Sequence, residues 1–184
     1  MSAVETSLRR LCTDYIDVYY LHMWDPYTPL EETVRCMDDL VRQGKVRYFG
    51  LSNFRAWQAM KIHAMASEIG IPLIAAQYQY SLIVRDIEYE LPSFCASQGV
   101  GIVPWAPLGG GLLSGANSGK HTSKGERSEA GGRPEEEQEE DRARRENERN
   151  MRILRTVEKI AASHQISSTQ TALAWLLSRP QVDS

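Results

Sequence analysis

Residues 101–111 read Gly-Ile-Val-Pro-Trp-Ala-Pro-Leu-Gly-Gly-Gly. A short apolar run ends in Trp105 and then breaks into prolines and glycines, which is typical of a buried strand that leads into a loop. The indole could stack on a planar heterocycle, and we expect the amides of Leu108 to Gly111 to point at pyrophosphate oxygens. Glycine-rich turns are common after strands, so the rest of the chain must decide between a cofactor site and an ordinary turn.

Composition describes an ordinary globular protein. The chain has 184 residues, a net charge of −3, 42% hydrophobic residues and 24% charged residues. This length fits one domain, and the mixture of acidic and basic residues predicts no nucleic-acid partner. No apolar run approaches the ~20 residues that cross a bilayer, and no secretory leader is recognisable. We therefore expect a cytoplasmic protein without a membrane span.

Cysteine spacing predicts neither a disulfide framework nor a metal site. Cys12, Cys36 and Cys95 are widely separated, odd in number and not followed by a second cysteine at CxxC spacing. Each is expected to be a small buried apolar residue, and no metal is expected in this chain.

Four short apolar runs predict strands, because they are rich in β-branched and aromatic residues. They span residues 15–22, 46–51, 73–77 and 100–105. Helical spacing of apolar residues predicts helices over residues 55–69 and 87–97, and from Ile153 and Ser168 onward. Strands that alternate with helices indicate right-handed crossovers and a parallel sheet. The predicted fold class is α/β.

The helix after the first strand has a predicted start and stop. Thr28 opens a Thr-Pro-Leu-Glu capping box, with Pro29 at the first helical position and Glu31 reaching back to the cap. Gly44 is expected to end that helix, and Gly99 is expected to end the helix over residues 87–97.

Residues 116–150 differ in character from the rest of the chain. Residues 116–134 are rich in Gly, Ser and Lys, and residues 135–150 hold almost only Glu, Asp, Arg, Gln and Asn. Such runs cannot bury an apolar face. We expect a charged, flexible insert within a single domain over residues 1–184, with recognition of a specific partner as the alternative.

Polar side chains close the predicted strands. His22, the pair Ser52 and Asn53, Gln77, and Trp105 follow or end the four runs. Ligands of parallel α/β sheets bind beyond the carboxyl ends of the strands, so these residues form the candidate site. A lone strand-end histidine is more often structural, and Asn or Gln often only caps a turn. Four polar strand ends in succession favour a site.

Recognition of a nicotinamide ring suits this set. The carboxamide of that ring needs a donor and an acceptor, which Asn53 and Gln77 each supply, and its face needs an aromatic plate such as Trp105. The imidazole of His22 could donate to a carbonyl oxygen and stabilise the charge that develops there. A metal site is not expected, since no second ligand stands at a suitable spacing from His22.

These segments together resemble the aldo/keto reductase family. The resemblance covers residues 13–22, 44–54, 77–81, 104–111 and 170–177, and Gly-Leu-Ser-Asn-Phe at residues 50–54 is its most specific motif. It is similar to the aryl-alcohol dehydrogenase-like branch and to potassium-channel β subunits. The resemblance implies a (β/α)8 TIM barrel that binds NADPH across its carboxyl rim.

The resemblance also implies roles for single residues. His22 matches the substrate-orienting histidine of the family's catalytic tetrad. The matches for cofactor binding are Ser52, Asn53 and Gln77 at the carboxamide, Trp105 on the nicotinamide face, and Ala106, Leu108 and Gly110 at the pyrophosphate.

Departures from the family pattern are as informative as the matches. A closed barrel has eight strands and typically ~250 residues, whereas four strands are predicted here. Relative to the family, the chain is expected to be truncated at both ends, and no residue matches the Asp, Tyr and Lys of the tetrad. Tyr20 shares a strand face with His22, but a phenol donates poorly at neutral pH without a neighbouring cation.

Two functions follow as expectations. The first is NADPH-dependent reduction of an aldehyde or ketone, with a small-molecule carbonyl substrate and a partner or oligomer that completes the barrel. The second is a catalytically silent family member that binds cofactor and acts in regulation or interaction. A third alternative is that the missing strands are encoded upstream of Met1. The choice between NADPH and NADH stays open.

Overall fold

A computed structural model describes residues 2–115 and 147–183. Its strands are β1 (Ile16–Leu21), β2 (Val46–Ser52), β3 (Leu73–Gln79) and β4 (Gly101–Trp105). The α-helices within this part of the chain are α1 (Ser2–Leu11), α2 (Leu30–Arg42), α3 (Ala56–Glu68), α4 (Leu91–Gln98), α5 (Glu148–His164) and α6 (Ser168–Leu177). Short 3-10 helices cover Asp86–Tyr89 and Leu112–Ser114.

The strands form one open sheet in the order β1-β2-β3-β4. β1 and β2 pair in parallel with Leu21 opposite Leu51, and β2 and β3 pair in parallel with Ser52 opposite Gln77. Val182 makes an isolated parallel bridge to Ile102 on the outer side of β4. Neighbouring strands are joined through helices, so the predicted α/β class is confirmed, and the sheet is consistent with part of a (β/α)8 barrel.

The described residues divide into two compact units. The first contains residues 2–78, 87–105 and 180–183, and the second contains residues 79–86, 106–115 and 147–179. The single domain predicted over residues 1–184 stays a prediction. Most of the charged insert, residues 116–146, lies outside the described residues.

One face of the sheet supplies the core of the first unit. Phe49 and Leu51 are at most 1% exposed. The ring of Tyr19 on β1 meets the Phe49 ring edge-on, with the ring centres 6.3 Å apart. Alternate residues point to opposite faces, so Tyr20 and its partner Gly50 lie on the other face.

Helix α2 shows which local predictions hold. The buried residues Leu30, Val34, Met37 and Leu40 recur at helical spacing. Gly44 ends the segment, as predicted, in the left-handed conformation at φ 70°.

The capping box predicted at Thr28 is wrong. The Thr28 hydroxyl donates to Asp25 Oδ2 at 2.5 Å, and the Tyr27 amide donates to Asp25 Oδ1 at 2.9 Å. These two bonds hold the loop at Asp25 and lower the pKa of its carboxyl group. The helix begins at Leu30, with Pro29 as its N-cap.

The helix predicted over residues 87–97 is split in two. A 3-10 helix covers Asp86–Tyr89, and α4 starts at Leu91 with Pro92 in its first turn. Proline has no N–H and its ring clashes with the carbonyl four residues earlier, so Pro92 fits the first turn of a helix and not the interior of one that begins at residue 87. Gly99 ends α4 at φ 67° as predicted.

Helices α5 and α6 supply the core of the second unit. Leu113, Leu154, Val157 and Ala172 are at most 3% exposed. Helix α5 begins at Glu148, before the predicted Ile153, because the Asn147 side chain accepts from the amide of Asn150 at 3.0 Å. The last residues of the insert therefore belong to an ordered helix. None of the helices in the described ranges is long and apolar enough to span a bilayer.

The contact between Tyr20 and Gly50 gives a test of the sheet packing. A Cβ added to Gly50 would overlap the Tyr20 ring. We expect Gly50→Ala to lower the free energy of unfolding by ~1–3 kcal/mol, the usual cost of overpacking. Urea denaturation of the full chain measures this value. In a Tyr20→Ala background the same substitution should cost much less, and an equal cost in both backgrounds would contradict the assignment.

Candidate active site

The carboxyl ends of the strands place four candidate residues at one edge of the first unit. His22 directly follows β1, Ser52 ends β2 and precedes Asn53, and Trp105 ends β4. Parallel strands present these ends on the same side of a sheet. The strand-end position is therefore confirmed for these residues.

Gln77 lies differently from the prediction. Strand β3 continues to Gln79, so Gln77 precedes the strand end by two residues. It is nevertheless paired with Ser52 across the β2–β3 ladder. The ladder contains a register shift between Phe49 and Gly50, and such a shift cannot be read from either strand alone.

The Asn53 amide joins three strand ends. Its Nδ2 donates to the backbone oxygen of His22 at 3.1 Å and to Ser52 Oγ at 2.9 Å. Its Oδ1 accepts from Trp105 Nε1 at 3.3 Å. The structure thus brings His22, Ser52, Asn53 and Trp105 together, whereas Gln77 reaches the group through its pairing with Ser52.

Two residues after strand ends adopt left-handed backbone. Asn53 has φ 61° and Ala106 has φ 52°. Asparagine tolerates this region, but for alanine it costs roughly 1–2 kcal/mol. Strained backbone of this kind is concentrated at binding and catalytic sites, so its occurrence directly after β2 and β4 supports a functional edge.

Exposure separates the candidate residues into two groups. Ser52 is 1% exposed, whereas Trp105 is 41% exposed and His22 is also exposed. In residues 2–115 and 147–183, neither the His22 imidazole nor the half-buried Gln77 amide makes a side-chain hydrogen bond. These two groups are therefore available to a ligand, as is the indole surface.

The glycine loop belongs to the second unit and has a different geometry from the prediction. The Gly109 amide donates to the Ala106 oxygen at 2.9 Å, and the Gly111 amide donates to the Leu108 oxygen at 3.1 Å. The expectation that all amides from Leu108 to Gly111 point at a ligand is therefore wrong for Gly109 and Gly111. Three successive left-handed glycines at residues 109–111 turn the chain back on itself and use these donors internally.

The remaining loop assignments stay predictions. Within the described residues, the Leu108 amide makes no backbone hydrogen bond. The family resemblance names three positions in this loop, which are Ala106, Leu108 and Gly110. Gly109 and Gly111, whose amides are bonded within the loop, are not among them. Fewer backbone amides can therefore donate to a pyrophosphate group than the number of glycines in the loop indicates.

Tyr78 is a supporting residue that sequence reasoning missed. Its hydroxyl donates to the backbone oxygen of Phe54 at 2.7 Å, and burial raises the pKa of this phenol well above its usual value. The Phe54 ring in turn meets the Trp24 ring edge-on at 5.7 Å. Together these contacts fix the turn that carries Asn53. In the sequence, this role is indicated only by the position of Tyr78, an aromatic residue next to Gln77 in a predicted strand.

Comparison with known proteins identifies the family. A model described as the aldo/keto reductase family matches residues 1–184. The chain belongs to the aldo/keto reductase family. The resemblance that rested on residues 44–54 and 104–111 is thereby confirmed.

Several curated relatives of this family match most of the chain. Aldo-keto reductase AMT2 from Alternaria alternata is 38% identical over 177 residues, which are 96% of this chain and 46% of the relative. Versiconal hemiacetal acetate reductase from Aspergillus parasiticus is 36% identical over 181 residues, 98% of this chain and 50% of the relative. The chain spans about half the length of these curated relatives.

A further relative supports the branch within the family. A Schizosaccharomyces pombe protein named "Putative aryl-alcohol dehydrogenase C977.14c" is 42% identical over 113 residues, which are 61% of this chain and 32% of the relative. The aryl-alcohol dehydrogenase-like resemblance therefore has a counterpart among the matches.

Removal of the Tyr78 hydroxyl tests the support of this site. Tyr78→Phe leaves the buried Phe54 carbonyl without its donor, so we expect a loss of ~1–3 kcal/mol in unfolding free energy at neutral pH. Urea denaturation measures the loss. Tyr27→Phe is the matched control, because Tyr27 is 93% exposed and should show no effect.

The stability difference between the wild type and Tyr78→Phe should depend on pH. The folded protein holds the Tyr78 proton more tightly than the unfolded chain, because its pKa is raised by burial. This stabilisation is complete below the unfolded pKa of ~10 and declines as the pH rises toward the folded pKa. The stability advantage of the wild type over Tyr78→Phe should therefore shrink above pH ~10. An advantage that stays constant through that range would contradict the assignment.

Proposed function

We propose that this chain binds NADPH through its first unit and takes part in the reduction of an aldehyde or ketone to the alcohol. The observation that carries the proposal is the Asn53 hydrogen-bond group, which gathers His22, Ser52 and Trp105 at the carboxyl edge of a parallel sheet. Membership of the aldo/keto reductase family supports the same reaction class.

The donor set at this edge fits a nicotinamide carboxamide. Ser52 Oγ accepts from Asn53, which leaves the Ser52 hydroxyl proton for a ligand acceptor. The Gln77 amide offers both a donor and an acceptor, and the exposed indole of Trp105 offers a stacking face. When bound, NADPH supplies the hydride that the carbonyl carbon accepts, while the carbonyl oxygen takes up a proton.

His22 has the role of orienting the carbonyl oxygen. Its imidazole is exposed at the site edge, and its backbone oxygen is held by Asn53. A hydrogen bond from the imidazole would stabilise the negative charge that develops on the oxygen. The family resemblance assigns Ala106, Leu108 and Gly110 of the second unit to the pyrophosphate, and that assignment stays a prediction.

A second candidate function is cofactor binding without turnover. Tyr20 lies on the sheet face opposite the core, and burial raises the pKa of its phenol. The group is therefore a weaker acid than free tyrosine, and we do not assign it as the proton donor. A family member that binds NADPH in a regulatory or interaction role is consistent with this observation.

The names of the relatives guide the choice of substrate class. Two of them are named for reduction of a hemiacetal acetate and for dehydrogenation of aryl alcohols. An aromatic aldehyde is accordingly the proposed test substrate. The choice between NADPH and NADH stays open, and a completing partner or oligomer and the cytoplasmic location stay predictions.

Turnover with an aromatic aldehyde tests the function directly. The full chain is mixed with NADPH and a benzaldehyde, and cofactor oxidation is followed by absorbance. We expect His22→Ala to lower kcat by ~10²–10³-fold, the usual effect of losing one group that stabilises a developing oxyanion, with little change in NADPH affinity. His164→Ala at the end of α5 is the matched control and should behave as the wild type.

Binding without chemistry separates the two functions. NADPH affinity is measured by quenching of tryptophan fluorescence, with Trp105→Phe to identify the responding ring. Binding combined with turnover no higher than that of His22→Ala supports the non-catalytic function. Absence of NADPH binding at millimolar concentration overturns both.

A further inference from the structure

We propose that Trp24 is a positioning residue for His22. Its ring packs against the core just beyond β1 and thereby fixes the direction in which the backbone carries the His22 imidazole. The effect on turnover rests on the proposed function, whereas the restraint on the His22 backbone does not. Trp24 acts in this inference through His22 and is assigned no contact with the cofactor or the carbonyl.

The imidazole of His22 depends on its backbone for its orientation. Throughout residues 2–115 and 147–183, no side-chain hydrogen bond to this ring is formed, and the residue is exposed. Neither a polar partner nor close packing therefore holds the ring. A displacement of a reacting group by ~1 Å can cost up to ~10²-fold in rate, so the backbone must be restrained for His22 to orient a carbonyl oxygen.

Trp24 is the one anchored side chain of the loop that follows His22. Residues 22–29 join β1 to α2, and all of them except Trp24 are exposed. Trp24 is partly buried and packs against the core of the first unit. Met23, directly before it, is 65% exposed, and the hydrogen bonds of Asp25, directly after it, stay within the loop. Trp24 therefore attaches this loop to the rest of the unit.

Two aromatic rings hold the Trp24 indole. The Phe54 ring meets it edge-on, with the ring centres 5.7 Å apart and the planes at 89°. The Trp57 ring, in the first turn of α3, lies 5.8 Å away at 58°. Phe54 is 6% exposed, and its backbone oxygen accepts the Tyr78 hydroxyl at 2.7 Å. The indole is thus packed against residues that are themselves fixed.

The chain after β1 has two attachments, and both are needed to set its direction. The first is the hydrogen bond from Asn53 Nδ2 to the His22 backbone oxygen at 3.1 Å. A single hydrogen bond lets the peptide pivot about that point. The packing of Trp24, two residues further along the chain, is the second attachment and prevents the pivot.

Three variants separate this role from a general effect on packing. Trp24→Leu removes both ring contacts but keeps an apolar side chain. Trp24→Phe keeps an aromatic ring at the same position and should restore the restraint. Tyr27→Leu is the matched control, because it makes the same kind of change in the same loop to a ring that is 93% exposed.

The first experiment needs neither cofactor nor substrate. The full chain, which has four histidines, is labelled with ¹⁵N-histidine, and the backbone amide of His22 is assigned with His22→Ala. We expect an order parameter of ~0.85 for this amide in the wild type, Trp24→Phe and Tyr27→Leu, and a fall toward ~0.6 in Trp24→Leu. An unchanged order parameter in folded Trp24→Leu overturns the inference.

The second experiment measures turnover of a benzaldehyde with NADPH. We expect Trp24→Leu to lower kcat roughly 10- to 100-fold with NADPH affinity unchanged, while Trp24→Phe and Tyr27→Leu stay near the wild type. In a His22→Ala background, Trp24→Leu should have little further effect, because the group that it positions is gone.

Two kinetic results would count against this role. Additive effects of Trp24→Leu and His22→Ala would show that Trp24 does not act through His22. A lower free energy of unfolding with a wild-type kcat would leave Trp24 a purely structural residue.

A further variant keeps the test decisive if Trp24→Leu does not fold. Trp57→Leu changes a ring that is 56% exposed and should cause smaller decreases in both the order parameter and kcat. Wild-type values of both quantities in Trp57→Leu would overturn the inference. A wild-type chain without turnover would refute the catalytic proposal, while the order parameter of His22 would still decide the role of Trp24.

Discussion

The parallel ladder between β1 and β2 determines where the candidate site lies. Leu21 pairs with Leu51, so the residues that follow, His22 and Ser52, lie at the same level along the two strands. A slip by one residue would turn every side chain of β1 to the opposite face. The buried contact between Tyr19 and Phe49 and the close approach of Tyr20 to Gly50 both oppose such a slip. The core of the first unit therefore also sets the register of the site.

A single amide then links the strand ends. Backbone hydrogen bonds hold strands side by side, but they do not fix the side chains beyond their ends. Asn53 does so, since it contacts the His22 backbone, the Ser52 hydroxyl and the Trp105 indole. The turn that contains Asn53 is held by the hydrogen bond from the Tyr78 hydroxyl to the backbone carbonyl of the next residue, Phe54. Deletion of either group would loosen the site.

Local patterns predicted elements well and their interactions poorly. Strand composition located β1 to β4, and glycine positions such as Gly44 and Gly99 located helix ends, because these depend on the conformational freedom of nearby residues. The cap predicted at Thr28 is wrong because the Thr28 hydroxyl donates to Asp25 instead. The geometry of the loop determines whether the Thr28 hydroxyl bonds to Asp25 or caps the helix, and a sequence motif does not specify that geometry.

Residue types at fixed spacings are enough to predict the α/β class, the family and the candidate residues. How those residues share their hydrogen bonds depends on the folded chain. The tertiary structure placed Gln77 opposite Ser52, bonded the amides of Gly109 and Gly111 within their own loop, and used both Asn53 donors inside the protein. The physical reason is that a polar group has a limited number of donors and acceptors, and the partners that use them come from segments distant in the chain.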